Sequence, residues 1–175
     1  SEIERVKKAL RKLLEDSRKS SEDLARELKR LLEESRKSTE KVERDLTDLL
    51  REIEEKLRDA KETVEEAKRE VDRLLEESRK SLRDNERLVE RLIRESERSL
   101  RENEDEVRRL EELLDRGKDL DTILERVERS SREHHKLNER LLETLRRSSE
   151  EHHKRNEELV RRVERLLEEV ERRRK

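Results

Sequence analysis

Apolar positions recur at intervals of three and four: Ile3, Val6, Leu10, Leu13 and Leu14, then Leu24, Leu28, Leu31 and Leu32, then Val42, Leu46, Leu49, Leu50, Ile53 and Leu57. Such spacing lays one stripe along an α-helix. The same phase runs from Val64 to Leu114 and resumes from Leu120 to Val170. Where apolar residues are missing, Ser17, Ser20, Ser21 and then Ser35, Ser38, Thr39 fill the stripe. Gly117 is the one strong stop, suited to a left-handed residue that closes a helix, and Asp119 follows as a candidate N-cap. A weaker break lies at 59–63, where Asp59–Glu62 and Thr63–Glu66 each fit a capping box without a Gly or Pro beside them. These breaks predict helices over about 1–58, 62–116 and 119–174 in a single domain, 1–175. Each helix would be about 55 residues long, or about 80 Å at the α-helical rise.

An internal repeat sharpens the picture. Ser17-Arg18-Lys19-Ser20 returns as Ser35-Arg36-Lys37-Ser38. Ser78, Ser81, Leu82 and Asn85 return as Ser96, Ser99, Leu100 and Asn103. Ser130-Ser131-x-x-His134-His135-x-x-Asn138 returns as Ser148-Ser149-x-x-His152-His153-x-x-Asn156. All three pairs share one offset, i to i+18. That offset makes five turns of 3.6, so the stripe stays straight, whereas a heptad repeat would impose a supercoil. Folded up-down-up, the polar segments fall into two registers. One holds Ser17, Ser20, Ser21, Ser96, Ser99, Asn103, Ser130, Ser131, His134, His135 and Asn138. The other holds Ser35, Ser38, Thr39, Ser78, Ser81, Asn85, Ser148, Ser149, His152, His153 and Asn156. The expected fold is therefore an all-α, straight, antiparallel three-helix bundle.

Composition then decides between order and disorder, and between classes of function. The 49 Lys+Arg and 51 Asp+Glu make 57% of the chain charged at a net charge of −2, with only 27% apolar residues. That balance also marks disordered chains, but a disordered polyampholyte has no reason to hold a helical phase. Interleaved signs leave no basic footprint for nucleic acid, and without Phe, Tyr or Trp no base can be stacked. The lack of Cys removes thiolate chemistry, and a single Gly leaves no phosphate-cradling loop. No cofactor is expected.

The histidines are the remaining candidates for chemistry. On a helical projection His134, His152, Asn138 and Asn156 fall at the centre of the stripe, and His135 and His153 near its edge. One histidine of each pair is thus expected to be buried and the other at least partly so. A buried imidazole needs partners for both nitrogens, which Ser and Asn can supply. With no carboxylate on the stripe in these layers, burial disfavours the imidazolium. The four histidines then form a pH-sensing set, and structure or assembly is expected to be lost around pH 4–6. The alternative is that the polar layers only specify helix pairing and register. Metal binding is disfavoured because adjacent helical residues diverge by about 100°. Catalysis is disfavoured because a slender bundle offers neither cleft nor third catalytic member. No enzyme is expected.

The Glu/Arg/Lys/Leu vocabulary and the strict repetition resemble computationally designed helical bundles with modular buried hydrogen-bond networks. Segment 130–138, echoed at 148–156, is similar to histidine-network designs built as pH-responsive oligomers. The resemblance implies a synthetic origin, stability at neutral pH, disassembly in acid and, in some cases, membrane disturbance on opening. It implies no natural location; the chain is expected to be soluble and, when produced recombinantly, cytoplasmic. Those designs are trimers of two-helix hairpins, whereas this chain holds three helices. A single-chain bundle needing no partner is expected, with a swapped dimer or a trimer as the alternative, and membrane contact only after acid opening.

Overall fold

A computed structural model describes residues 1–174; Lys175, which the expected domain includes, lies outside them. The chain is a three-helix bundle of α1 (Glu2–Lys56), α2 (Lys61–Asp115) and α3 (Leu120–Arg174), each 55 residues long. It divides into two compact units, and every helix contributes one segment to each. The first comprises residues 1–30 and 88–145; the second comprises residues 31–87 and α3 from Arg146 onward.

In the first unit Leu10 of α1 packs with Val107, Leu110 and Leu114 of α2 and with Ile123 and Val127 of α3. Lys7 pairs with Asp115 and Arg18 with Glu104, so α2 runs antiparallel to α1. In the second unit Val42, Leu46, Ile53 and Leu57 meet Ala67, Val71, Leu74, Leu159, Val163, Leu167 and Val170. There Glu43 pairs with Arg79 and Glu54 with Lys68, again antiparallel, while Ser35 faces Ser149 and Lys56 faces Glu171, which sets α3 parallel to α1. The up-down-up order follows. Leu10, Leu46, Leu74 and Leu110 have no exposed surface, and burying a leucine fully is worth about 1.5–3 kcal/mol. Exposed ion pairs on the outer faces, such as Lys41–Asp45, add little each.

The two turns are built differently. Gly117 has φ 79°, and the bonds Gly117 N–H to Leu114 O (3.0 Å) and Lys118 N–H to Leu113 O (3.1 Å) form a Schellman closure. Asp119 caps α3: its carboxylate accepts from the Asp121 amide (3.2 Å) and the Thr122 hydroxyl (2.9 Å). The 57–60 turn instead uses no left-handed residue. Ala60 N–H donates to Leu57 O (2.9 Å), and the Ala60 carbonyl takes the first α2 bond from Val64 N–H (3.1 Å). Neither capping box expected there forms its side-chain bonds. Ala60, which has no side-chain acceptor, occupies the N-cap position. Nothing lies within 4 Å of a Cβ built on Gly117, so Gly117→Ala meets only backbone strain. It is expected to lower stability by about 1–2 kcal/mol in urea denaturation near neutral pH.

Candidate functional site

Each unit encloses one polar layer, and both expected registers form. Ser17, Ser96, Asn103, Ser131, His134 and Asn138 are buried in the first; Ser35, Thr39, Ser78, Asn85, His152 and Asn156 are buried in the second. Ser20, Ser21, Ser99 and Ser130, like Ser38, Ser81, Ser148 and Ser149, are half-buried at the margins. The imidazoles sit at the centres, His134 1% and His152 2% exposed. Every polar atom of a buried side chain among the described residues has a hydrogen-bond partner. The layers are fully satisfied.

In the first layer His134 Nε2 lies 2.8 Å from Ser21 Oγ and 3.3 Å from the Ser17 carbonyl oxygen, and Nδ1 lies 2.8 Å from Ser99 Oγ. Ser21 Oγ reaches Ser96 Oγ (2.9 Å), and Ser96 donates to Asn138 Oδ1 (2.7 Å). Asn138 Nδ2–H donates to Ser20 Oγ (2.9 Å). A second branch runs from Ser130 to Asn103 Oδ1, from Asn103 Nδ2 to Ser17 Oγ (3.4 Å), and on to Ser131 Oγ (3.3 Å).

Every one of these bonds recurs one repeat away in the second layer. His152 Nε2 meets Thr39 Oγ1 (2.9 Å) and the Ser35 carbonyl (3.2 Å), and its Nδ1 meets Ser81 Oγ (2.7 Å). Thr39 reaches Ser78 (3.1 Å), Ser78 donates to Asn156 Oδ1 (2.7 Å), and Asn156 donates to Ser38 (2.8 Å). Ser148, Asn85, Ser35 and Ser149 complete the second branch. The helical phase explains the recurrence, because a shift of five turns returns each side chain to the same face.

Of the outer histidines, His135 is partly buried as expected and His153 is not. His153 is exposed, not partly buried; its Nδ1 lies 3.2 Å from Ser38 Oγ and its Nε2 2.9 Å from Glu157 Oε1. The Glu157 carboxylate, one turn on, holds the ring at the solvent face. His135 is half-buried and makes no hydrogen bond to the layer, its ring centroid 6.3 Å from that of His134. The buried set is therefore two imidazoles. Burial pushes both below the ordinary imidazole value of 6.5, against a smaller upward pull from the carbonyls of Ser17 and Ser35. A neighbouring positive charge would add to the depression, from His135 at His134 and from Arg155 and His153 at His152.

The contribution of the two backbone carbonyls had no signal in the residue pattern. The Glu157 contact had an ambiguous one: His153 and Glu157 stand four apart on one helix, but so do His135 and Glu139, which form no such contact. No helix among the described residues is long and apolar enough to cross a membrane. Comparison with protein-family models, curated proteins and solved structures finds no match in any of the three.

Proposed function

We propose that the two buried layers make this bundle a pH switch, stable near neutral pH and opened when His134 and His152 take up protons. The observation that carries the reading is their placement: two almost fully buried rings, bonded only to hydroxyls and backbone carbonyls. A neutral imidazole is fully served there. An imidazolium has no carboxylate in the layer to offset its lost hydration. Unfolded chain binds protons from about pH 6.5 downward and the folded layers resist them, so stability falls with pH through that window. The strict i to i+18 duplication supports a designed origin, with no enzymatic activity, cofactor or obligatory partner. On this reading the neutral form keeps its apolar stripe covered, and only an acid-opened form presents it to a membrane or to another chain. Light scattering and helical circular dichroism near pH 7.5 and pH 4.5 test the proposal. An expanded or dissociated species in acid is the expected result, and identical mass, shape and helicity at both values would overturn it.

A second reading, a pairing module whose layers only encode helix order, is favoured by one observation. Within each layer bonds join all three pairs of helices, as in Ser21–Ser96, Ser99–His134 and Ser17–Ser131. The outer histidines help separate the two readings. In a switch, replacing His135 and His153 with alanine removes a repulsive neighbour from each buried ring. The folded value of each ring then rises toward that of the unfolded chain, less stability is lost in acid, and the acid midpoint is expected to move slightly downward in pH, as read by circular dichroism. A pairing module would show no such shift.

A further inference from the structure

The hydrogen-bond circuit around each buried imidazole has a direction, and it singles out one ring nitrogen. Ser96 has one proton and donates it to Asn138 Oδ1, so it accepts from Ser21. Ser21 has then spent its own proton and must accept from His134 Nε2–H. The Ser17 carbonyl, which can only accept, faces the same nitrogen. Thr39, Ser78, Asn156 and the Ser35 carbonyl impose the same direction on His152. The 3.3 Å approach of Asn138 Nδ2 to Nε2 is then a contact between donors. Turning that amide over would set a second oxygen against Nε2, which again only a ring N–H satisfies. In both layers the neutral ring carries its proton on Nε2. Its one free lone pair, on Nδ1, accepts from Ser99 or Ser81.

Those two serines are half-buried, unlike the rings behind them. Ser99 also opens onto a groove between α2 and α3, of about 580 Å³, which His134 lines from within. We propose that Ser99 and Ser81 are the points at which protons enter the layers, and that Nδ1 is the atom that receives them. The proposal rests on the switch reading. A solvent hydronium gives its proton to the serine hydroxyl as that hydroxyl's own proton passes to Nδ1. The hydronium leaves as water, the ring gains one positive charge, and the serine stays neutral with its new proton turned away from the ring, at Ser99 toward the groove. The inner circuit through Ser21, Ser96 and Asn138 keeps all its bonds. Protonation therefore breaks no hydrogen bond; it places an unhydrated charge in the layer.

The surroundings of each ring are consistent with this route. Toward His134, α1 presents the Ser21 hydroxyl and the Ser17 carbonyl. On α2, Glu102, Glu106 and Arg109 line the groove beside Ser99, and Arg126, Arg129, Glu133 and Arg140 of α3 line it opposite, with Glu106 paired to Arg126, so mixed charges rim the entrance without touching the ring. His135 repels charge from within α3. Around His152, α1 presents Thr39 and the Ser35 carbonyl, α2 presents Ser81 and Ser78, and Arg155 and His153 repel charge from α3.

Nitrogen-15 NMR of the imidazoles in the intact chain, through pH 7.5 to 4.5, tests the assignment directly. Nε2–H with unprotonated Nδ1 is expected for both buried rings near neutral pH. A ring protonated on Nδ1, or one averaging between tautomers, would overturn the proposal whether or not the chain opens in acid. Ser99→Ala with Ser81→Ala removes the partner of Nδ1 in both its neutral and its charged form, so the folded chain is less stable and resists protons further, and the acid midpoint is expected to rise by about half a pH unit or more. Ser99→Thr with Ser81→Thr keeps the hydroxyls and is expected to restore it. An unmoved midpoint in the alanine variant would overturn the role of the serines. A parent chain with Nε2–H rings but no acid response would instead overturn the switch reading, and with it any function for the port.

Discussion

Replacing both buried imidazoles, His134→Asn with His152→Asn, is expected to flatten the dependence of stability on pH between about 7.5 and 4.5. Burial holds both rings below 6.5 in the folded chain, so the folded state carries fewer protons than the unfolded state as pH drops. Each ring for which that difference is complete removes about 1.4 kcal/mol of stability per pH unit, and two rings about 2.7 kcal/mol. For an ordinary single domain, stable by about 5–15 kcal/mol, such a slope is large. Asparagine does not titrate. The variant also loses bonds to Ser21, Ser99, Thr39 and Ser81, so it should be less stable near neutral pH by about 1–3 kcal/mol per site. Urea midpoints across the pH range read both effects: a steep fall for the parent and a lower but level line for the variant. Equal slopes for the two chains would remove His134 and His152 as the source.

The opposite sign can be built into the same layers. Asn138 Nδ2 stands 3.3 Å from His134 Nε2, and Asn156 Nδ2 stands 3.2 Å from His152 Nε2. Asn138→Asp with Asn156→Asp puts a carboxylate oxygen at nearly unchanged volume where an amide nitrogen was. It accepts from Nε2–H and from the Ser20 or Ser38 hydroxyl, which needs only to rotate. The carboxylate favours the imidazolium and lifts the folded value of each ring above 6.5. The folded state then binds more protons than the unfolded one. That contribution is fully present below 6.5 and is lost as pH rises through the lifted value. Above it, a buried carboxylate beside a neutral ring is uncompensated, at a cost of about 3–5 kcal/mol per layer. Urea midpoints should therefore climb from pH 8 toward pH 5.5 or so, the reverse of the parent. A profile that keeps the parent's sign would show that these Asn positions do not govern the charge on the rings.

Much of this architecture is written in one-dimensional periodicity. The stripe and its repeat place Ser17, Asn103, His134 and their counterparts in two layers, because five helical turns return a side chain to its starting angle. Gly117 and Asp119 mark the second turn, since a left-handed closure and an N-cap each demand a residue type. The first turn leaves no comparable mark. It is made with ordinary backbone angles around Ala60, and the capping boxes beside it stay unused. Edge positions are equally hard to read. His135 and His153 share one helical angle, yet one is half-buried and the other exposed and paired with Glu157. Glu139 stands four residues after His135 just as Glu157 stands after His153, so the residue pattern does not say which ring turns outward. Backbone carbonyls, present at every residue, carry no sequence signal at all, so the second acceptor at each Nε2 appears only once the helices are packed.

The duplicated layer also works as a vernier with only two marks. If α1 slid by one full repeat, Ser35 and Thr39 would arrive where Ser17 and Ser21 stand, and one layer would re-form with nearly identical chemistry. The other layer would lose its α1 partners, because Ile53 and Leu57 would arrive where Ser35 and Thr39 serve His152. The connections penalise the slip further: it requires a displacement of about 27 Å, whereas the four residues of 57–60 span at most about 14 Å. Short turns thus choose the register, and the hydroxyl–amide circuits confirm it. Lengthening the 57–60 connection with a flexible segment would leave every buried side chain in place and still give the chain a second way to close.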